Sequence, residues 1–243
     1  RATDPLVLYN HPDNIPRIEY DAAGAVKGLL IEEARTNLVT YSEDFTNAAW
    51  VTNHAATPAI DAVGPDGVAN SAVTLVDSSA GGSREVYIAD SLITSTSTEY
   101  TASCFMKADQ LSFGRIRIAS AGLSGTADAY FNLSTGVVGT TGANANTATI
   151  EDFGGGWYRC AMSFTTDAVD TSIDVRLQMA ETDGGTNVPR DGTSSILLYG
   201  AQLEAGSFAT SYIPTTGAAA TRAADVASIP TSAFGYNDAA GTV

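Results

Sequence analysis

The chain has 243 residues, 44% hydrophobic and 16% charged, which is enough to bury a core as one β domain and too apolar for a disordered chain. Twelve basic against 27 acidic residues leave a formal charge of −15, and the only lysines are Lys27 and Lys107, so no basic stripe is present to hold phosphates and the balance disfavours nucleic acid. The same acidity disfavours anionic membranes, and no apolar run reaches the roughly 20 residues of a spanning helix.

In chain order, the start at Arg1, without an initiator Met or a signal-peptide pattern, reads as a piece of a longer protein. Residues 1–27 carry three prolines between Asp4 and Tyr20 and are expected to form an extended N-terminal arm or the end of an upstream module. Gly28–Val39, GLLIEEARTNLV, fits a short helix or a strand equally well. Nine short runs then alternate apolar and polar residues between Gly, Asp, Asn and Ser clusters: SAVTLVD, REVYIAD, EYTASCFMKA, FGRIRIA, DAYFNL, TATIEDF, WYRCAMSF, TSIDVRLQMA and SSILLYGAQLE. This pattern predicts an all-β protein, a jelly-roll β-sandwich of two antiparallel sheets over residues 28–225, each strand having one core face and one wet face. Residues 226–243, small and polar, read as a linker or a lead-in to a following module.

Signatures of chemistry are scarce. There is no G-x-S-x-G elbow, no H-E-x-x-H, no P-loop and no G-x-G-x-x-G after a strand. The two histidines, His11 and His54, stand alone in polar surroundings. Glu32 and Glu33 are adjacent, as are Glu151 and Asp152; on a strand neighbours point to opposite faces, so neither pair can flank one glycosidic bond. Cys104 and Cys160 share their strand faces with apolar residues, which suits core fillers and leaves a bridge between them open. Calcium is a candidate structural ion, with Glu181, Asp183, Asn187 and Asp191 in the loop ETDGGTNVPRDG as oxygen donors that lack EF-hand spacing.

Sugar recognition needs aromatic faces for pyranose rings and polar side chains for hydroxyls. The wet faces of the middle strands offer Arg115, Arg117, Asp174, Arg176 and Gln178, with Tyr87, Trp50 and Trp157 as the aromatic candidates beside them. These eight residues form the expected ligand-binding set.

Several stretches are more distinctive than any of these: Pro16–Leu38, Ser42–Trp50, Pro65–Gly67, Tyr100–Ala108, Gly156–Arg159 and Gly200–Asp225, the last reading GAQLEAGSFATSYIPTTGAAATRAAD. With them the chain resembles a family of phage and prophage tail-associated proteins that contain a jelly-roll module similar to carbohydrate-binding modules. The resemblance implies a non-catalytic adhesion module of a phage tail or receptor-binding virion protein, located on the virion or outside the cell. Its partners would be polysaccharide or host-surface glycan and other virion subunits, including further copies in a homotrimer. A polysaccharide lyase or glycoside hydrolase, or a module within one, is the alternative, and a purely structural tail assembly domain is a second. Jelly rolls of this general type often place an acid on the last strand to hold calcium; Gly200 stands at that position here, leaving Glu204 or a loop as substitutes. In the exit stretch, Phe208, Tyr212 and Ile213 are expected to anchor the chain on the sandwich, with Pro214 ending strand pairing.

Overall fold

The computed structural model describes residues 15–20, 25–79, 85–120 and 127–228. Within them are sixteen β-strands and no helix. Two compact units result. One runs from Arg35 to Thr221; the other includes the described residues before Arg35 and after Thr221.

The larger unit consists of two antiparallel six-stranded sheets. In spatial order the first holds β11 (Val137–Thr141), β10 (Ala127–Asn132), β9 (Phe113–Ala119), β14 (Ser172–Ala180), β7 (Val86–Ile93) and β4 (Val51–Asn53). The second holds β12 (Ala145–Asp152), β13 (Trp157–Thr165), β8 (Glu99–Ala108), β15 (Ser195–Ala205), β6 (Ala72–Val76) and β5 (Ala59–Ala62). All nine alternating runs are strands, as period-two hydrophobicity requires when one face is buried. Ile116, Ile118, Phe131, Val175 and Leu177 from the first sheet meet Cys104, Met106, Met162, Phe164, Leu198 and Leu203 from the second, all at most 3% exposed. The expected sandwich is the observed one.

Cys160 sits directly opposite Cys104 in the β13–β8 register. Both thiols are free and buried in this core. Burial pushes the Cys104 thiol up to about 12 and the Cys160 thiol well above its ordinary value, so both are inert core fillers.

The expectation of one wet face per strand fails in the second sheet. Thr101, Ser103 and Phe105 point outward from β8 yet are 2%, 3% and 0% exposed. The cover is the exit segment that follows β15, together with Phe153: Tyr212 and Phe153 pack edge-on against Phe105, with ring centroids 5.8 and 4.9 Å away. Tyr212 and Ile213 are the anchors expected of the exit stretch, whereas Phe208 is 56% exposed.

This cover is fastened from the sequence's entry stretch. β3 (Arg35–Asn37) pairs with β16 (Ala220–Arg222), and between them Asn37, fully buried, makes four hydrogen bonds. Its Nδ2 donates to the Ala201 and Ile213 carbonyls (3.1 and 2.8 Å), and its Oδ1 accepts from the Val39 and Leu203 N–H groups (3.1 Å each). One side chain thus ties the entry strand, the last sheet strand and the exit segment. Beside it, Gln202 accepts from Ile213 N (2.8 Å), and the buried Glu204 accepts from Thr210 N and Oγ1 (2.8 and 2.7 Å) and from Gln202 Nε2 (2.6 Å).

The β15 register slips between Tyr199 and Gln202, where Gly200 has φ of +59°. A Cβ there would lie 3.0 and 3.1 Å from the Tyr212 and Phe105 rings. Only glycine suits both the left-handed backbone and the close ring approach.

In the smaller unit, β1 (Ile18–Tyr20) and β2 (Val26–Leu29) form a ribbon, so the stretch that fitted helix or strand opens as strand and continues without regular structure through residues 30–34. Arg17 pairs with Glu32 (2.6 Å) and with Asp225, and Arg222 pairs with Glu32 (3.2 Å). The Glu32 N–H, with the guanidiniums of Arg17 and Arg222, holds the Asp225 carboxyl below the usual carboxylate range. Ile18 lies opposite Leu29 and Tyr20 opposite Val26, and these four are 44–64% exposed.

Replacing Asn37 by Ala removes four bonds and strands two buried carbonyls and two N–H groups, so urea unfolding of Asn37→Ala is expected to show a loss of about 3 kcal/mol or more. A loss under about 1 kcal/mol would refute this account of the fastening.

Candidate functional site

β9, β14 and β7 project alternate residues outward from the first sheet, and their registers align them in rows. Tyr130, Arg115, Gln178 and Tyr87 form one row across β10, β9, β14 and β7; Asp128, Arg117 and Arg176 form the next; Asp174 and Ser91 the one after. Six of the eight expected residues, Arg115, Arg117, Asp174, Arg176, Gln178 and Tyr87, are therefore brought together on one face.

The face is wired by charge. Arg115, 4% exposed, donates through Nε to Asp128 Oδ2 (2.7 Å) and through Nη1 to Gln178 Oε1 (2.9 Å) and Glu85 Oε1 (3.1 Å), and its guanidinium lies 4.9 Å from the Tyr130 ring centre. Arg117 Nη1 reaches both Glu85 oxygens (3.1 and 3.2 Å). Arg176 Nη2 donates to Asp174 Oδ2 (3.2 Å), and its guanidinium covers the Tyr87 ring at 4.8 Å. Ser91 donates to the other Asp174 oxygen. Arg176 and Arg117 are directly opposed across β14 and β9, a like-charge pair that is tolerable because each has its own carboxylate.

Exposure divides this face in two. Arg115, Gln178 and Asp128 are nearly inaccessible, so they hold the platform rather than touch a ligand. The side chains of Arg117, Arg176 and Asp174 are 29%, 21% and 37% exposed. Next to them, at the end of β9 and β14, is a shallow polar depression of about 350 Å³ lined by Ser120, Asp170, Ser172, Asp174 and Arg176. Groups that fix a planar cation and leave one edge in water can bond hydroxyls or carboxylates.

Trp50 and Trp157 do not join the platform. Trp50, 5% exposed, packs in the main core 4.8 Å from Phe45 and donates Nε1–H to the Tyr41 carbonyl (2.8 Å). Trp157, 3% exposed, is on the outer side of the other sheet, clustered with Phe105, Tyr199 and Ala72. Their large apolar rings are worth more buried than wet, and Trp157 is buried within the cluster against which Phe153, Leu197 and Tyr212 pack.

Three members of the network were missed: Glu85, Asp128 and Tyr130. The latter two alternate with the core residues Ala129 and Phe131 in DAYFNL, a signal that was available. Glu85 stands two residues before Tyr87 in the run REVYIAD, so alternation places it on the same face although it just precedes β7.

Three of the residues singled out for calcium have protein partners. Glu204 is satisfied by Thr210 and Gln202, Asp183 accepts from Thr140 N (2.7 Å), and Asp191 accepts from the N–H groups of Thr193 and Ser194 (2.9 and 3.2 Å). Among the described residues no group of three or more His, Cys, Asp or Glu side chains is placed to hold a metal ion. His54 takes a left-handed backbone, φ +56°, and accepts Ser78 N at its carbonyl (2.8 Å); His11 is outside the described residues.

No protein-family model matches the chain, and comparison with curated proteins also gives no match. Solved structures similar to it include the enzymatically active domain of tailspike protein 4 from Bacteriophage CBA120, with TM-score 0.42 and 10% identity over 70% of this chain and 21% of that one. A CBM4 structure is similar at TM-score 0.39 and 12% identity over 72% of this chain and 96% of that one. TmCBM27, a carbohydrate-binding module described by its specific mannan recognition, is similar at TM-score 0.33 and 15% identity over 73% and 98%. The chain spans about a fifth of the tailspike domain and nearly the whole length of the two modules.

Two outcomes test this geometry. Removing Arg115 leaves Asp128 buried without its partner, so Arg115→Ala should cost about 3–5 kcal/mol in urea unfolding, whereas Arg176→Ala, at a half-exposed pair, should cost under about 1 kcal/mol. Equal costs would contradict the division of the face.

The second outcome concerns Asp90, which points inward from β7, 5% exposed, with Oδ2 unpaired. Burial, with a smaller push from Asp174, raises its carboxyl to about 6. An unfolded carboxyl titrates near 4, so the native state binds this proton more tightly. Stability from this group is fully present below about pH 4, falls between pH 4 and 6, and is lower above by on the order of 2–3 kcal/mol. Asp90→Asn should flatten that part of the stability–pH curve; an unchanged slope would show that Asp90 does not titrate there.

Proposed function

We propose that the protein is a non-catalytic carbohydrate-binding module of a phage tail or receptor-binding virion protein, contacting host-surface glycan through the outer face of the first sheet. The observation that carries this reading is the convergence of six expected residues on one face, with Arg117, Asp174 and Arg176 at its wet edge beside the polar depression. The arginines are braced by Glu85, Asp128 and Asp174, which presets their geometry and spares a sugar that ordering cost. The sequence's resemblance to tail-associated proteins supports the virion setting.

A lyase would need a free cationic group to neutralise a uronate and a base beside it. On this face each arginine already bonds a carboxylate, which favours binding over chemistry. A second reading, assembly with other virion subunits, is favoured by the β1–β2 ribbon, whose Ile18, Tyr20, Val26 and Leu29 share an exposed apolar face.

Affinity electrophoresis in gels containing bacterial and algal polysaccharides should show retention on at least one glycan. Arg176→Ala and Arg117→Ala should weaken it severalfold, with no reducing ends or unsaturated products released. Release of such products would establish the enzyme instead. Absence of retention on every gel, with the module still required for virion assembly, would leave the structural reading.

A further inference from the structure

The outer side of the second sheet, although mostly covered, keeps a groove of about 130 Å³ where the exit segment stops short of the edge strand β12. Its floor is Thr101, Ala161 and Ser163, at most 5% exposed. Along one side stand Thr147, Thr149 and Glu151, alternate β12 residues that all point outward and are exposed. Along the other stand Ser207 and Phe208.

Phe208 is the anomaly. The neighbouring exit-segment aromatic, Tyr212, packs on the sheet, but Phe208 is 56% exposed, and the Arg35 guanidinium lies 5.1 Å from its ring centre. An apolar ring kept in water by a cation, at the rim of a groove, is costly to the isolated fold and useful to a ligand with an apolar face.

The polar lining narrows the class of that ligand. Thr101 Oγ1 donates to the Gly206 carbonyl (2.7 Å), and Thr147 and Ser163 share one hydroxyl hydrogen bond (2.8 Å), so these hydroxyls are oriented and retain acceptor capacity. The side chains of Thr149, Glu151 and Ser207 have no hydrogen-bond partner among the described residues. Arg159, 8% exposed, donates Nη1 to the Thr210 carbonyl (2.6 Å) and Nη2 to Ser103 Oγ (3.2 Å). An anionic ligand would meet the Glu151 carboxylate, and a metal ion would find only that one carboxylate. A neutral ring with hydroxyls on its edges and C–H groups on its face fits all of these features.

We infer that this groove is a second saccharide site, on the opposite sheet from the first, taking one neutral hexopyranose residue of a glycan. The ring's apolar face lies on Phe208, and its hydroxyls bond Thr149, Glu151 and Ser207. The site shares the ligand class of the first-sheet face but none of its residues.

Isothermal titration of the full chain with cellohexaose, mannohexaose and laminarihexaose, with hexagalacturonate as the anionic probe, tests this. At least one neutral probe should bind more tightly than hexagalacturonate. Phe208→Ala should weaken that binding at least tenfold without lowering the melting temperature, because the ring is exposed. Glu151→Gln should weaken it severalfold, and Arg176→Ala should leave it unchanged. No heat with any neutral probe, or full affinity in Phe208→Ala, overturns the inference. Binding lost in Arg176→Ala and kept in Phe208→Ala also overturns it, and leaves the first-sheet reading standing.

Discussion

Asn37 is the constraint on which the rest of the larger unit depends. A carboxamide offers two donors and two acceptor lone pairs, and all four are used, between three segments distant in sequence. Because the side chain is fully buried, each bond forms where water cannot compete, and each would leave a costly orphan if broken. The fastening keeps the exit segment on the outer face of the second sheet. That cover in turn packs on Phe105 and Tyr199, giving this sheet apolar packing on both sides. Beneath the exit segment the two-layer sandwich has become a three-layer one.

The two sheets consequently solve opposite problems. The second has an apolar outer face and needs a lid. The first has charged outer positions that the lid does not reach, and it buries part of them by internal pairing: Arg115 with Asp128, Arg117 with Glu85, Arg176 with Asp174. A chain with more than twice as many acids as bases has carboxylates to spare for each arginine. The partnership is close to neutral over the face, so any recognition there rests on hydrogen-bond geometry and stacked rings more than on net potential.

The strands were legible because a half-buried strand writes its environment in every second residue; EYTASCFMKA and FGRIRIA match β8 and β9 residue for residue. What alternation cannot show is a third layer. Thr101, Ser103 and Phe105 look like a wet face until the exit segment is placed over them, and placing it depends on a single asparagine, three of whose four partners lie more than 160 residues away. The short strands β4, β5 and β11 carry too few alternations to register. At the site, residue type located the platform, but exposure could not be read: Arg115 and Arg117 are two residues apart on one strand, and one is a buried brace while the other is half in water. The distinctive stretches, finally, are explained by each other. Arg17 and Glu32 of the entry meet Arg222 and Asp225 of the exit, and Asn37 joins GAQLE to SYIPT, so their residue choices record mutual packing.

The pairing of β3 with β16 has a mechanical meaning. Thr36 lies beside Thr221 with their hydroxyls 2.7 Å apart, and Tyr41 lies opposite Thr216, so the two segments run antiparallel and the chain enters and leaves the β unit side by side. Tension applied along the chain from both directions would part these strands one bond at a time, as a zipper opens, and reach Asn37 before any strand of either large sheet. The sandwich is thereby insulated from load: a chain pulled at both ends of the unit would lengthen first at this seam, with both proposed sugar-binding faces still folded.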